Sequence, residues 1–287
     1  MELLHRATAD LETLGKRPVQ TLSTAVFVRA LTAVVLLKVL LSWKSQVMIM
    51  GIHEAQIPNG RISGPLLWPA RFAAHQPNTF FLVVVGFLLI HLFVRRNYWT
   101  AVLFSILNFN LLIMTISHGD GGDVLAFMLS VWAIFFVPLH PASSLRTTAQ
   151  VMLYNCARIG CMLQFVFMYA ASGIDKLKSN VWITGQAFEH MRRAGGIVNP
   201  DFPSWLSTPF WDFAFTWSTI LFEIMFAVLV WFRSCQPAMV ITAVIFHLGI
   251  WWMLDLPDFS MIMVVAVLIF VRDDQYLQAF KPQLLSA

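Results

Sequence analysis

"VMLYNCARIGCMLQFVFMYAASGI" runs from Val151 to Ile174 and holds a single charged residue, Arg158, in 24 positions. A stretch of that length and polarity matches a bilayer crossing, which takes ~20 residues. It must cross as a helix, because lipid offers no partner to backbone N–H and C=O groups. The rest of the chain has the same character. Of 287 residues 58% are hydrophobic and 12% charged, and that charged share is about half of the ~25% usual in soluble domains. Mean hydropathy is +0.71.

Seven further apolar runs follow the same reading: Ser23 to Trp43, Thr79 to Val94, Thr100 to Ile116, Asp123 to Leu139, Trp217 to Phe232, Pro237 to Leu254 and Phe259 to Val271. The predicted fold is an all-α integral membrane protein with about eight transmembrane helices in one bundle, spanning residues 21–275. Residues 1–20 carry Leu3, Leu4, Ala7, Leu11 and Leu14 at helical spacing, the pattern of an amphipathic helix on the membrane surface. Their acidic residues and lack of an apolar run argue against a signal or transit peptide. Residues 276–287 read as a cytoplasmic tail.

Basic residues occupy alternate short connections: Lys16 with Arg17, Arg95 with Arg96, Arg146, Arg233 and Arg272. The opposite ones hold Asp120, Asp255 and Asp258. By the positive-inside rule both termini are expected in the cytoplasm. The long connections, Lys44 to Asn78 and Asp175 to Thr216, then fall on the outer face. The first is expected to be irregular, given Pro58, Gly60, Gly64, Pro65, Pro69 and Pro77. The second contains "GQAFEHMRR", a short interfacial helix, and the turn-rich "NPDFPSW". The basic residues are scattered at span ends and form no polar stripe, which excludes a nucleic-acid reading. Cys156, Cys161 and Cys235 show no C-x-x-C spacing, and no disulfide is expected. Without inverted repeats or interrupted spans, a transporter is disfavoured.

Ionisable groups within spans cost roughly 2.5 to 3.5 kcal/mol on insertion scales and call for a partner, an interface or a function. Lys38 can snorkel from the outer end of the first span or pair with Glu223, which lies about two turns deep in the sixth; Glu223 can equally act directly. Arg29 and Arg158 can reach headgroups from the inner halves of their spans. His91 reads as interfacial. His247, in "IFHLGIWW", suits either a carbonyl-satisfied structural histidine or a site residue. "SHGDGGDVL", Ser117 to Leu125, brings His118, Asp120 and Asp123 to one helix entry, with Asp123 as an N-cap in the bland reading. One histidine and two carboxylates on a glycine loop do not make a metal set.

The fifth run ends in "YAASGIDKLKSNVWITG", Tyr169 to Gly185. Lys176 there is either an interfacial anchor or a lysine desolvated in a pocket, where its neutral amine can serve as a base. The segment resembles the vitamin K-dependent gamma-carboxylase and the wider horizontally transferred transmembrane (HTTM) domain family: an aromatic, a small residue, Gly, an apolar residue, a variable one, Lys and Leu, then Trp-x-x-Gly. "SHGDGGDVLAF" resembles that family's His-containing helix entry, and "IFHLGIWWMLDLPDFSMIMVVAV" its Phe-His run before the last span.

The resemblance implies that Lys176 deprotonates a reduced, vitamin K hydroquinone-like quinone, whose oxygenation by O2 drives removal of a glutamate γ-proton before CO2 adds. His118 and His247 are the assisting catalytic candidates. Trp182, Glu223 and Asp123 are the candidate cofactor-binding residues, with no metal. Expected partners are membrane lipid, an isoprenoid quinone and a secreted or peptide substrate. The sequence departs from the carboxylase at Asp175, where that enzyme has a second lysine, and is expected to lack its large luminal domain. The alternative implied by the same resemblance is a non-catalytic HTTM component of a peptide export, maturation or immunity system.

Overall fold

Residues 21–52, 68–94, 97–115, 121–136, 148–194 and 198–277 are described by a computed structural model of the chain. The helices are α1 (Thr21–Ile52), α2 (Trp68–His75), α3 (Pro77–Phe93), α4 (Tyr98–Thr115), α5 (Gly121–Phe135) and α6 (Thr148–Lys178). They continue with α7 (Asn180–Ile183), α8 (Ala187–Ala194), α9 (Pro209–Leu229), α10 (Gln236–Leu254) and α11 (Pro257–Val267). Single 3-10 turns lie at Ser204–Leu206 and Leu268–Phe270. No strand occurs among the described residues. Proline stands within the first two positions of α3, α9, α10 and α11, where its missing N–H costs nothing and its fixed φ suits the helix.

The chain is a helical integral membrane protein by length and composition. Four helical segments are long and apolar enough to cross a bilayer: Thr21–Trp43, Thr148–Lys178, Pro209–Leu229 and Gln236–Leu254. Four shorter apolar helices, Pro77–Phe93, Tyr98–Met114, Gly121–Phe135 and Pro257–Phe270, fall where the remaining apolar runs were read. Large apolar side chains face outward on these helices, Phe93 and Phe167 among them, as surfaces bathed in lipid allow.

Some boundaries differ from expectation. The connection from Lys44 to Asn78 is helical at both ends, because α1 continues to Ile52 and α2 fills Trp68–His75. Pro69 and Pro77 sit in first turns and therefore start helices. The sixth run, read from Trp217, is helical already from Pro209. The expected surface helix near the N-terminus, His118, Asp120 and most of the tail lie outside the described residues.

Two compact units divide the chain within α6, after Ile159: one comprises residues 1–159 and 272–287, the other Gly160–Val271. In the first, Phe27, Leu31, Phe81, Leu88 and Phe104 are fully buried. His91 stacks on Phe104 at 4.6 Å between ring centroids, with Nδ1 3.0 Å from the Thr32 hydroxyl. The α1 N–H groups of Leu22 and Ser23 donate to the Asp273 carboxylate at 3.1 and 2.7 Å, so a residue some 250 positions later caps α1. A carboxylate at a helix N-terminus meets unpaired donors and the positive end of the dipole. Beside it Tyr276 is buried, and burial together with the Asp273 charge pushes its phenol up to about 12.

The second unit is built on aromatic packing. Phe165, Tyr169, Phe222, Phe226 and Phe270 meet through ring contacts of 4.6 to 6.0 Å. The end of α6, the middle of α9, the second half of α10 and the start of α11 gather around one cavity.

Candidate functional site

The site begins with a glycine. A Cβ on Gly173 would lie 2.9 Å from Ile224 Cγ1 and 3.4 Å from Glu223 Cβ. Its absence lets the last turns of α6 approach α9. Ser172 and Lys176, four residues apart, share the helix face beside that contact. Lys176 Nζ donates to Glu223 Oε1 and Oε2, both at 2.8 Å, and to Ser172 Oγ at 2.6 Å. Ser172 Oγ in turn donates to Glu223 Oε1 at 3.1 Å. The lysine and glutamate side chains are only 17% and 9% exposed. Each donor of the ammonium thus has an acceptor, the condition under which a buried ion pair is tolerated.

Past Lys176 the chain turns over the start of α9. Trp182 on α7 sets its ring 4.9 Å from Lys176 Nζ, a cation–π contact. Gly185 has φ +78°, and a Cβ there would fall 2.3 Å from the Phe213 ring. Only glycine fits both the left-handed backbone and the space. The turn brings in α8, whose Phe188 N–H donates to Thr216 Oγ1 at 3.2 Å. Arg192 fixes the same helix by an ion pair to the buried Asp212 at 2.7 Å. On the far side Asn199 caps the end of α10: its N–H donates to the Met253 carbonyl at 3.0 Å and its side-chain amide to the Trp252 carbonyl at 3.0 Å.

These elements enclose a cavity of about 510 Å³, within the range of roughly 300 to 1,000 Å³ common to small-molecule sites. Lys176 and Glu223 form its charged patch, with Ser172 hydrogen-bonded to both and Trp182 beside them. Phe188, Phe215, Phe246, Ile250, Leu254 and Phe259 supply much of the apolar wall.

Of the site residues read from the sequence, Lys176, Trp182 and Glu223 come together here. His247 does not line the cavity. It is buried, its Nε2 is 2.5 Å from the Tyr169 hydroxyl, and its ring packs on Phe246 and Phe259, which do line it. Asp123 belongs to the other unit and pairs with Lys38 at 2.5 Å. The suggested Lys38–Glu223 pair is therefore replaced by two separate ones, Lys38–Asp123 and Lys176–Glu223. Asp123 sits in the first turn of α5, within reach of a lysine on α1. His118 lies outside the described residues. Asp175 pairs with Lys178 on the exposed face of α6 at 2.8 Å. Among the described residues no three His, Cys, Asp or Glu side chains gather as a metal site.

Sequence reasoning did not single out Ser172, Tyr169, Thr216, Asp212 or Arg192. The first had a signal, one helical turn before Lys176. The Arg192–Asp212 pair had none, because its partners meet only through the fold.

Fold and site together define a helical membrane protein with a largely apolar cavity whose charged patch, among the described residues, is one buried cation–carboxylate pair. Comparison with family models, curated proteins and solved structures finds no match to the chain.

Proposed function

We propose that the chain is an HTTM-like membrane enzyme in which Lys176 takes a proton from the hydroxyl of a reduced isoprenoid quinone held in this cavity. The observation that supports the reading most is the delivery of Lys176, paired with Glu223, to an apolar cavity of small-molecule size. Largely apolar walls with one charged pair suit a ring hydroxyl carried on an isoprenoid chain. A bound quinol would supply the oxygen-dependent chemistry, coupled in a carboxylase-like reaction to CO2 addition on a glutamyl peptide. Proton transfer from Lys176 to Glu223 over 2.8 Å turns the ion pair into a neutral amine and acid without changing the net charge. Lys176 then has a lone pair for a substrate proton. Trp182 and Ser172 hold the amine in place.

The proposal includes eight spans, both termini in the cytoplasm and the cavity at the outer face. Its support is the alternation of basic connections and the eight apolar helices. The test compares Lys176→Ala with Lys178→Ala in oxygen-dependent quinol turnover. Losing a general base costs ~100 to 10,000-fold, so Lys176→Ala should abolish turnover and Lys178→Ala should leave it nearly unchanged. Equal turnover in both variants, or none in the wild type, would discard the reading.

A second reading has its own observation. All three Lys176 donors are satisfied within the protein, as in a clamp that holds α6 to α9. This favours a non-catalytic HTTM component of a peptide export, maturation or immunity system.

A further inference from the structure

The cavity wall on α10 has a gap in it. Ile245, Gly249 and Met253 follow at four-residue intervals and all line the cavity, so they share one face of the helix. Gly249 leaves a notch in that face: a Cβ built there meets no atom within 4 Å. Two lining residues on either side of the notch are exposed. Ile245 is 65% exposed, and Ser218, on α9 opposite, is exposed as well.

Both positions lie well inside their helices. Ser218 is in the middle of Pro209–Leu229 and Ile245 in the middle of Gln236–Leu254, each long and apolar enough to cross a bilayer. Ser218 also follows Asp212 by six residues, about 9 Å along the axis, and Asp212 is where the amphipathic α8 is tied down. With these two helices spanning the bilayer as proposed above, an opening at this level meets lipid. Level with Ile245, Phe222 and Phe246 close the space with ring centroids 4.3 Å apart, so the opening lies on the Ser218 and Gly249 side of that contact. The charged pair, carried by α6 and α9, lines the same cavity.

We propose that the gap between Ser218 and Ile245, notched at Gly249, is a lateral portal through which a lipid-soluble ligand enters from the bilayer, and that its apolar chain stays lodged there while its polar head meets Lys176 and Glu223. The identity of the head as a quinol rests on the function proposed above; the portal does not. Gly249 and Ser218 are then selectivity positions, since they set the width available to a chain. A ligand without a chain would not need them once inside.

The test uses the full-length protein in nanodiscs and three probes: a naphthoquinone bearing a geranylgeranyl chain, menadione as the same ring without a chain, and geranylgeraniol as the chain with only a hydroxyl. Gly249→Trp fills the notch from one wall, and Ser218→Phe narrows it from the other should the first variant fold poorly. Each should weaken binding of both chain-bearing probes by at least about tenfold and leave menadione within about twofold. Binding of geranylgeraniol with this sensitivity, but no binding of either quinone, would keep the portal and remove the quinol. Unchanged binding of chain-bearing probes in folded variants, equal loss for menadione, or no binding of any probe would overturn the portal.

Discussion

Lys176 is surrounded by groups that each limit what it can do. Glu223 supplies two acceptors, Ser172 a third, and Trp182 covers the remaining side. Removing one member of such a buried pair leaves a charge without compensation, at a cost of about 3 to 5 kcal/mol, whereas replacing both with apolar groups is often neutral. We therefore expect Lys176→Met and Glu223→Leu each to lower thermal stability in detergent clearly, and the double variant to recover most of the loss. Activity separates the readings. If the pair is only a clamp, the double variant should regain function with stability; if Lys176 is a base, it should be stable and inactive.

At the scale of elements, two glycines decide how α6, α7 and α9 meet, and they differ in tolerance. At Gly173 the nearest atom to an added methyl group is the Cγ1 of Ile224, a side-chain atom that can shift. Gly185 combines positive φ with a 2.3 Å approach to a phenyl ring. The left-handed backbone alone costs a non-glycine residue roughly 1 to 2 kcal/mol. Gly185→Ala should therefore reduce the melting temperature more than Gly173→Ala, and it should also weaken the contact of Trp182 with Lys176, read as a change in Trp182 fluorescence relative to a Trp182→Phe background.

The segment that caps α1 gives a pH dependence. Tyr276 is raised from 10.0 to about 12, so between those values the unfolded chain has lost a proton that the folded chain keeps. Fewer protons on the unfolded state mean that stability falls as pH rises. The loss begins near the unfolded value and is complete above the folded one. Unfolding measured from pH 9 to pH 12, roughly that window, should show a shallower decline in Tyr276→Phe than in the wild type. Equal slopes would mean that the phenol does not contribute.

For the whole molecule, the proposed orientation is tested by labelling. Ser204 and Ser234 are exposed at opposite ends of α9. Once the three native cysteines, Cys156, Cys161 and Cys235, are replaced, Ser204→Cys should be blocked by an impermeant reagent in intact cells and Ser234→Cys only after lysis. The reverse result would invert the orientation.

The helices were legible because a bilayer-crossing segment is specified locally. Its apolar length and the need to satisfy its own backbone act within one run of residues, so the eight apolar runs fall on helices, four of them long and apolar enough to cross a bilayer. The motif around Lys176 was legible for a related reason: Ser172, Gly173, Lys176, Trp182 and Gly185 lie within one short segment. Partners were another matter. Whether Lys38 meets Glu223 or Asp123, and whether Arg192 meets Asp212, depends on which helix faces which and at what depth, and apolar spans of similar composition leave that open. Only tertiary packing resolved it, because close approaches such as Gly173 on Ile224 fix the helices in register and a charge in an apolar surround takes an opposite charge that the register brings within reach.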